Sequence, residues 1–158
     1  MNKTKFTIIG EAKGKERPRA CVVRGHAHIY TPSKTLEYES SVIRAYMDAM
    51  GWWDSSAVVP PKLEPVAVIL DVKVGLSKAD YNSKGEPNKK GRMKLSGEIS
   101  PTKKPDLDNI AKSILDALNG YAFADDSQVV GLYVTKKYSL NPSVTVTIFS
   151  DLQRKETL

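Results

Sequence analysis

The sequence is short of the residues that build disulfides and zinc sites. Its 158 residues include one cysteine, Cys21, and two histidines, which excludes an internal disulfide and argues against a zinc site. We expect the single thiol to be buried among apolar neighbours. No apolar run reaches the roughly 20 residues that cross a bilayer, and the N-terminal residues predict a strand rather than a signal peptide. We therefore expect a cytoplasmic protein that has no membrane partner.

Negative charge is also in short supply. The chain has 18 Asp and Glu against 24 Lys and Arg, a formal net charge of +6. The basic residues recur in three blocks: Lys13, Lys15, Arg17 and Arg19; Lys84, Lys89, Lys90, Arg92 and Lys94; and Lys103 and Lys104. Such blocks favour nucleic-acid phosphate through counterion release, although a solvated surface explains the charge alone equally well. Because the last two blocks lead into a cluster of aspartates, the balance favours nucleic acid.

The periodic patterns predict one α+β domain over residues 1–158. Apolar residues alternate in the predicted strands and recur at helical spacing in the predicted helices. Strands are predicted at 5–9, 19–23, 26–31, 66–74, 129–138 and 144–149, and helices at 35–50 and from 107 to 118. We expect the second and third strands to form a hairpin, and the last two to form an antiparallel pair. A mixed β-sheet with two main helices packed on it is the most economical architecture.

Three stretches lack a periodic pattern. Residues 52–65 contain three prolines and predict a loop. Residues 77–100 are rich in Lys, Gly, Ser and Asn, and a loop of this length in a small domain is usually functional or disordered. We expect a mobile basic loop there and a frayed tail over residues 151–158.

Five aspartates surround the helix that follows this loop. Asp106 and Asp108 flank its start, Asp116 lies on it, and Asp125 and Asp126 follow its end. A helical wheel places Leu107, Ile110, Ala111, Ile114, Leu115 and Leu118 on one core-facing side. An N-cap aspartate with an Asp108, Lys112, Asp116 ladder is also typical of an ordinary surface helix. That interpretation leaves the remaining acids unexplained.

The pairing of these acids indicates a divalent metal. Asp106 and Asp108 supply two carboxylates where one cap suffices, and the chain beyond the helix could return Asp125 and Asp126 to its N-terminal end. Clustered carboxylates without a metal repel one another, whereas Mg²⁺ prefers such oxygens together with substrate phosphate. Lys112 could then stabilise charge on a phosphoryl group. This pattern predicts a metal-dependent nuclease.

The chain resembles the RusA family of Holliday junction resolvases, which occur in bacteria, phages and prophages. The resemblance rests on KPDLDNIAKSILDALNG followed by ADDSQVV, and extends to GKERPRA, IYTPSKTLEYE and VTKKYS. It implies a homodimeric, Mg²⁺-dependent endonuclease of DNA recombination and repair that cuts four-way DNA junctions in two opposed strands.

By position, the resemblance assigns metal binding to Asp106, Asp108 and Asp126, and a catalytic role to Lys112. Asp125, which precedes the matching acid, is ranked below these residues as a metal ligand, and Asp116 is assigned to the helix surface. The basic residues expected along the DNA are Lys15, Arg17, Arg19, Lys103 and Lys104. Two alternatives stay open: a non-catalytic DNA-binding module, and a nuclease of the same chemistry that acts on flaps, forks or RNA.

Overall fold

A four-stranded mixed sheet and a separate hairpin form the β-structure of the protein. A computed structural model describes residues 1–52 and 61–152. The strands are β1 Asn2–Ile9, β2 Arg19–Val23, β3 His26–Tyr30, β4 Val66–Val74, β5 Val129–Tyr138 and β6 Ser143–Ser150, and the helices are α1 Ser33–Met50, α2 Lys89–Leu95 and α3 Leu107–Leu118. Two single-turn 3-10 helices, Lys78–Asp80 and Asp126–Gln128, complete this part of the chain. The α+β fold class with a mixed sheet is confirmed.

The strand order of the main sheet is β1-β6-β4-β5. The β6 strand is antiparallel to both β1 and β4, whereas β5 is parallel to β4. The predicted antiparallel pairing of the last two strands is therefore wrong, because β4 lies between them. The connection passes the end of β4, where the Ser139 amide donates to the Val74 carbonyl at 2.8 Å.

The core lies between one face of this sheet and helices α1 and α3. Val66, Val68, Leu70 and Val72 of β4 are buried on that face, as their alternation predicts. The α3 helix contributes Ile110, Ile114 and Leu118, which are fully buried. Aromatic contacts extend the core along α1, since the Tyr46 ring lies 5.6 Å from that of Phe6 and 5.7 Å from that of Trp52. The core therefore fixes α3 against the sheet.

The β2–β3 hairpin is confirmed and stands away from this core. Its turn uses Arg24 at φ 50° and Gly25 at φ 80°, and every residue of both strands is exposed. Cys21 lies on this hairpin and is exposed. The expectation of a buried thiol is wrong, because the short apolar run around it forms a two-stranded ribbon that is exposed along its whole length.

Residues 77–100, predicted as a mobile basic loop, contain the 3-10 turn Lys78–Asp80 and helix α2. The side chain of Asp80 is only 1% exposed. Its carboxylate accepts from the Lys94 ammonium at 2.7 and 2.8 Å and from the Ser77 amide and hydroxyl at 2.8 and 2.7 Å. Asn88 caps α2 by accepting from the Gly91 amide at 3.0 Å. The segment is therefore organised around one buried ion pair, and its mobility stays a prediction.

This ion pair predicts a pH-dependent stability. Lys94, together with Ser77, lowers the pKa of Asp80 from 3.8 to about 2. A lowered carboxylate pKa stabilises the fold above the unfolded value, and this stabilisation is lost as the pH falls from 3.8 through about 2. We expect Asp80→Asn to lower the melting temperature at pH 7 by several degrees, because it leaves the Lys94 ammonium buried without its counter-charge. Thermal unfolding monitored by circular dichroism between pH 7 and pH 2 measures both effects.

The variant should also lose stability less steeply than the wild type below pH 4, because it lacks the titrating group. Asp48→Asn, which changes an exposed acid near the end of α1, is the matched control and should melt like the wild type. Equal melting temperatures for Asp80→Asn and Asp48→Asn would contradict the structural role of the pair.

Two predicted stretches fall largely outside the described residues. These are the centre of the loop at 52–65 and most of the tail at 151–158. Within the described ranges, no helix is both long enough and apolar enough to cross a membrane.

Candidate active site

Helix α3 presents two acids at its N-terminal end. Asp106 occupies the N-cap position at φ −73° and ψ 151°, yet its side chain makes no capping hydrogen bond. Asp108 lies in the first turn, and both side chains are exposed. Within residues 1–52 and 61–152, neither carboxylate accepts a hydrogen bond, and neither forms an ion pair. The two acids are therefore available to bind a ligand at the positive end of the helix dipole.

A cavity of about 400 Å³ lies beside Asp106. It is formed by the loop after β1, the start of α1 and the residues before α3, and four of its lining residues are Lys13, Lys15, Lys34 and Lys104. The loop lies close to the helix, because the Lys15 amide donates to the Asn109 carbonyl at 3.3 Å. A side chain at Gly14 would collide with the Asn109 amide group. Glycine at this position therefore leaves room for the Asn109 side chain where the loop approaches α3, and this loop carries two of the lysines that line the cavity with Asp106.

Lys15 differs from the other lysines because two carboxylates neutralise it. Its ammonium contacts Asp116 and lies 3.2 Å from Glu39. Burial opposes the charged form, but the hydrogen bonds that the ammonium donates to the two carboxylates outweigh it and raise the pKa of Lys15. Asp116 thus links α3 to the loop after β1 through Lys15, rather than standing free beside Lys112. Neither residue of this pair has the free charge that a phosphate contact or a metal site requires.

The remaining basic residues of the predicted DNA surface are mostly exposed. Arg17, Lys103 and Lys104 have solvent-exposed side chains. Arg19 lies at the base of the hairpin, 3.2 Å from Glu16. Lys112 is exposed one turn after Asp108 and forms no ion pair among the described residues. Its ammonium is therefore free to contact a bound anion.

Lys34 and Lys136 were not singled out by sequence reasoning. Lys34 lies in the first turn of α1, and this position places it at the cavity. The hydrophobic periodicity of the sequence does not distinguish it from other exposed lysines. Lys136 donates to the backbone carbonyls of Lys103 at 2.9 Å and Pro105 at 3.0 Å. It thereby joins the C-terminal part of β5 to the segment that leads into Asp106.

Asp125 and Asp126 lie at the start of β5. Asp125 caps the 3-10 turn by accepting from the Ser127 amide at 2.8 Å, and hydrogen bonds from Ser127 lower its pKa. The Gln128 side chain ties this turn to the chain before β4, donating to the carbonyls of Lys62 at 2.9 Å and Glu64 at 2.8 Å. Asp125 therefore has a structural role as the cap of this turn, whereas Asp126 is exposed and is not the cap.

The structure separates Asp126 from the other two predicted metal ligands. Asp106 lies near Lys136, late in β5, whereas Asp126 precedes the first residue of that strand. The seven residue steps from Val129 to Lys136 correspond to about 23 Å of strand. Asp126 thus lies near the C-terminal end of α3, whereas the sequence suggested that the chain returns it to the N-terminal end. Consistently, no group of three or more His, Cys, Asp or Glu side chains among the described residues could hold a metal ion.

Comparisons with known proteins bear on this site. The family model of endodeoxyribonuclease RusA matches residues 10–149, a range that includes the lysine-lined cavity and all five aspartates. A Bacillus subtilis (strain 168) protein named "Uncharacterized protein YqaN" is 36% identical over 155 residues, covering 94% of this chain and 96% of its own length. The matched range takes in α3, both acid pairs, β4, β5 and all of β6 except its last residue, and begins directly after β1. On this basis the chain belongs to the RusA endodeoxyribonuclease family.

Proposed function

We propose that this chain is a Mg²⁺-dependent endonuclease that binds four-way DNA junctions as a homodimer and cuts two opposed strands. The observation that carries the proposal is that Asp106 and Asp108, beside a cavity lined by lysines, have no hydrogen-bond or ion-pair partner among the described residues. Membership of an endodeoxyribonuclease family supports DNA as the substrate. We expect this activity in recombination and repair, in the cytoplasm of a bacterium that encodes the protein itself or through a phage.

The donor atoms at this end of α3 fit a hard divalent cation. Asp106 and Asp108 offer carboxylate oxygens, and among the described residues neither cysteine nor histidine lines the neighbouring cavity. Mg²⁺ keeps several waters and is typically held by one or two carboxylates together with substrate phosphate. When bound, the ion would polarise the scissile phosphate and lower the pKa of an attacking water. The two carboxylates at the N-terminal end of α3 thus match the number of protein carboxylates that typically hold Mg²⁺.

The lysines around the cavity would bind the DNA backbone. Lys13, Lys34 and Lys104 line it without a carboxylate partner in the described chain, so their charges attract phosphate. Lys15 is excluded from this role because Asp116 and Glu39 hold its ammonium. The N-terminal end of α3 adds its partial positive charge on the same side. These groups would hold a phosphate next to the acids.

Lys112 would stabilise the transition state of phosphodiester hydrolysis. It follows Asp108 by four residues, about 6 Å along the helix axis, and is exposed on the same helix. A cation at this distance can offset the negative charge that builds on the phosphoryl oxygens during hydrolysis. It acts on the transferred phosphate, whereas the cavity lysines act on the DNA backbone that surrounds it.

A substrate panel tests the proposal. Purified protein is incubated with an end-labelled four-way junction, a flap, a fork and a linear duplex of the same sequences, with Mg²⁺ or with EDTA. We expect paired symmetric cuts in the junction, little cutting of the linear duplex, and no cutting in EDTA, where the lysines still bind the junction. Preferential cutting of the flap or fork would reassign the substrate. Salt-sensitive junction binding without cleavage under Mg²⁺ or Mn²⁺ would identify a binding module instead.

A further inference from the structure

Helix α2 carries a basic surface that has no part in the site at α3. The segment that contains it, residues 77–100, has six basic and three acidic side chains. Lys94 and Gly91 are the buried residues of α2. The helical period places Lys89 and Arg92 on the opposite side of this helix. Both are solvent-exposed, and neither has a carboxylate partner in the described chain. The outward face of α2 therefore presents two cations without a counter-charge.

Several contacts fix α2 to the main sheet. A side chain at Gly91 would collide with the backbone carbonyl of Asp80, so α2 packs directly on the 3-10 turn before it. The Asn88 amide donates to the same carbonyl at 2.9 Å. The Lys94 ammonium, which binds the Asp80 carboxylate, also lies 4.8 Å from the centre of the Tyr138 ring in β5. One lysine thus joins α2 both to the turn and to the sheet.

Helix α2 and the acids at the start of α3 are neighbours on one face of the sheet. The register of β4 and β5 places Lys136 and Tyr138 on the face that carries the buried Val72. Lys136 donates to the Pro105 carbonyl, one residue before Asp106. Tyr138, which contacts α2, follows two residues later, about 7 Å along the strand. The two cations of α2 therefore lie close to the cavity that holds the acids.

We infer that Lys89 and Arg92 bind the phosphate backbone of a DNA arm beside the scissile phosphate. The buried pair of Asp80 and Lys94 fixes this surface relative to the acids. One turn of duplex spans about 34 Å, so an arm with a phosphate at Asp106 passes α2 within one turn. A long polyanion fits these charges better than a small anion, because it reaches the cavity lysines and α2 together. The inference rests on the proposed function, which supplies DNA as the ligand.

The salt dependence of junction binding tests this surface without any catalytic readout. Lys89→Gln/Arg92→Gln is compared in EDTA with Lys3→Gln/Lys5→Gln, which removes two exposed charges from the edge strand β1. Each phosphate contact contributes about 0.9 to the slope of log affinity against log salt concentration. The α2 double variant should lower this slope by about 1.8 and the affinity at about 50 mM salt by about tenfold. The β1 double variant should change the affinity by less than about twofold.

Equal losses in the two double variants would mean that net charge alone attracts the DNA, and an unchanged α2 variant would mean that its cations contact no phosphate. Either result overturns the inference. A hydroxyl-radical footprint locates the contact: the wild type should protect the backbone of an arm within about one turn of the crossover, and the α2 variant should lose that protection. Protection that persists in the variant also overturns it. A wild type that binds the junction without cutting refutes the proposed function instead, while the binding data still decide the role of α2.

A double-mutant cycle tests the role of the ion pair. Asp80→Asn is measured below its melting transition, both alone and together with Lys89→Gln/Arg92→Gln. If the pair acts by positioning α2, Asp80→Asn alone weakens junction binding several-fold, and it causes no further loss once the two cations are gone. A general loss of structure would weaken both backgrounds equally. Equal losses in the two backgrounds, or no loss in either, would overturn the positioning role of Asp80.

Discussion

Asp108→Asn is expected to lower the rate of junction cleavage by about 1,000-fold, because it removes a proposed metal ligand that would act only in the chemical step. The amide keeps the size and shape of the carboxylate, so α3 should fold as before. Asp108 is exposed and accepts no bond from the described residues, which leaves little structure for the substitution to disturb. The single-turnover rate with saturating protein is the measurement that isolates this effect.

Binding should respond in the opposite direction. Without a metal, the Asp108 carboxylate repels DNA phosphate, so removing its charge should leave junction affinity in EDTA unchanged or slightly tighter. Asp48→Asn removes one negative charge from an exposed site on α1 and controls for the change in net charge. If Asp108→Asn cuts within tenfold of the wild type, or if Asp48→Asn loses as much activity, Asp108 is not a ligand. Gel-shift titrations beside the rate measurements separate the two effects.

The sequence predicted the individual strands and helices better than the order and pairing of the strands in the sheet. The β4 strand was predicted at its observed bounds, because its alternating valines encode which face is buried. The same alternation says nothing about neighbours, and so β5 and β6 were paired although β4 lies between them. In residues 77–100, order depends on the contact between Asp80 and Lys94. A contact between two charged residues leaves no periodic signal, and α2 is too short to show one.

The candidate site was predictable in part for the same reason. Asp106 caps α3, and Asp108 and Lys112 lie in its first two turns, so their positions relative to one another follow from the helical period alone. The position of Asp126 depends on the direction in which α3 lies against β5, and the sequence does not encode that direction in any local pattern. The contacts of Lys136 with Lys103 and Pro105 show it. Proximity within the sequence thus suggested one acid cluster, whereas the fold divides it between the two ends of a strand.

Lys112→Met is expected to lower the single-turnover rate of cleavage by about 100-fold to 1,000-fold, the usual cost of removing one charge-stabilising group. Methionine keeps a long unbranched side chain and the helix propensity of lysine, so α3 should remain intact. Lys112 is exposed and forms no ion pair within the described residues, which means that its charge serves no internal contact. Its effect should therefore appear in the rate at saturating protein and not in the dissociation constant of the junction complex.

That division between rate and affinity decides what Lys112 does. If it only attracts DNA, Lys112→Met weakens binding but reaches the wild-type rate once the junction is saturated. If it stabilises the transition state, the rate stays low at saturation, and Lys112→Arg restores part of it, because arginine returns the charge with a different donor geometry. Lys90→Met, which removes an exposed charge on α2, should change the rate at saturation by less than about twofold, since it weakens only the general attraction of DNA. A rate for Lys112→Met that recovers fully at saturation would assign the residue to DNA binding alone.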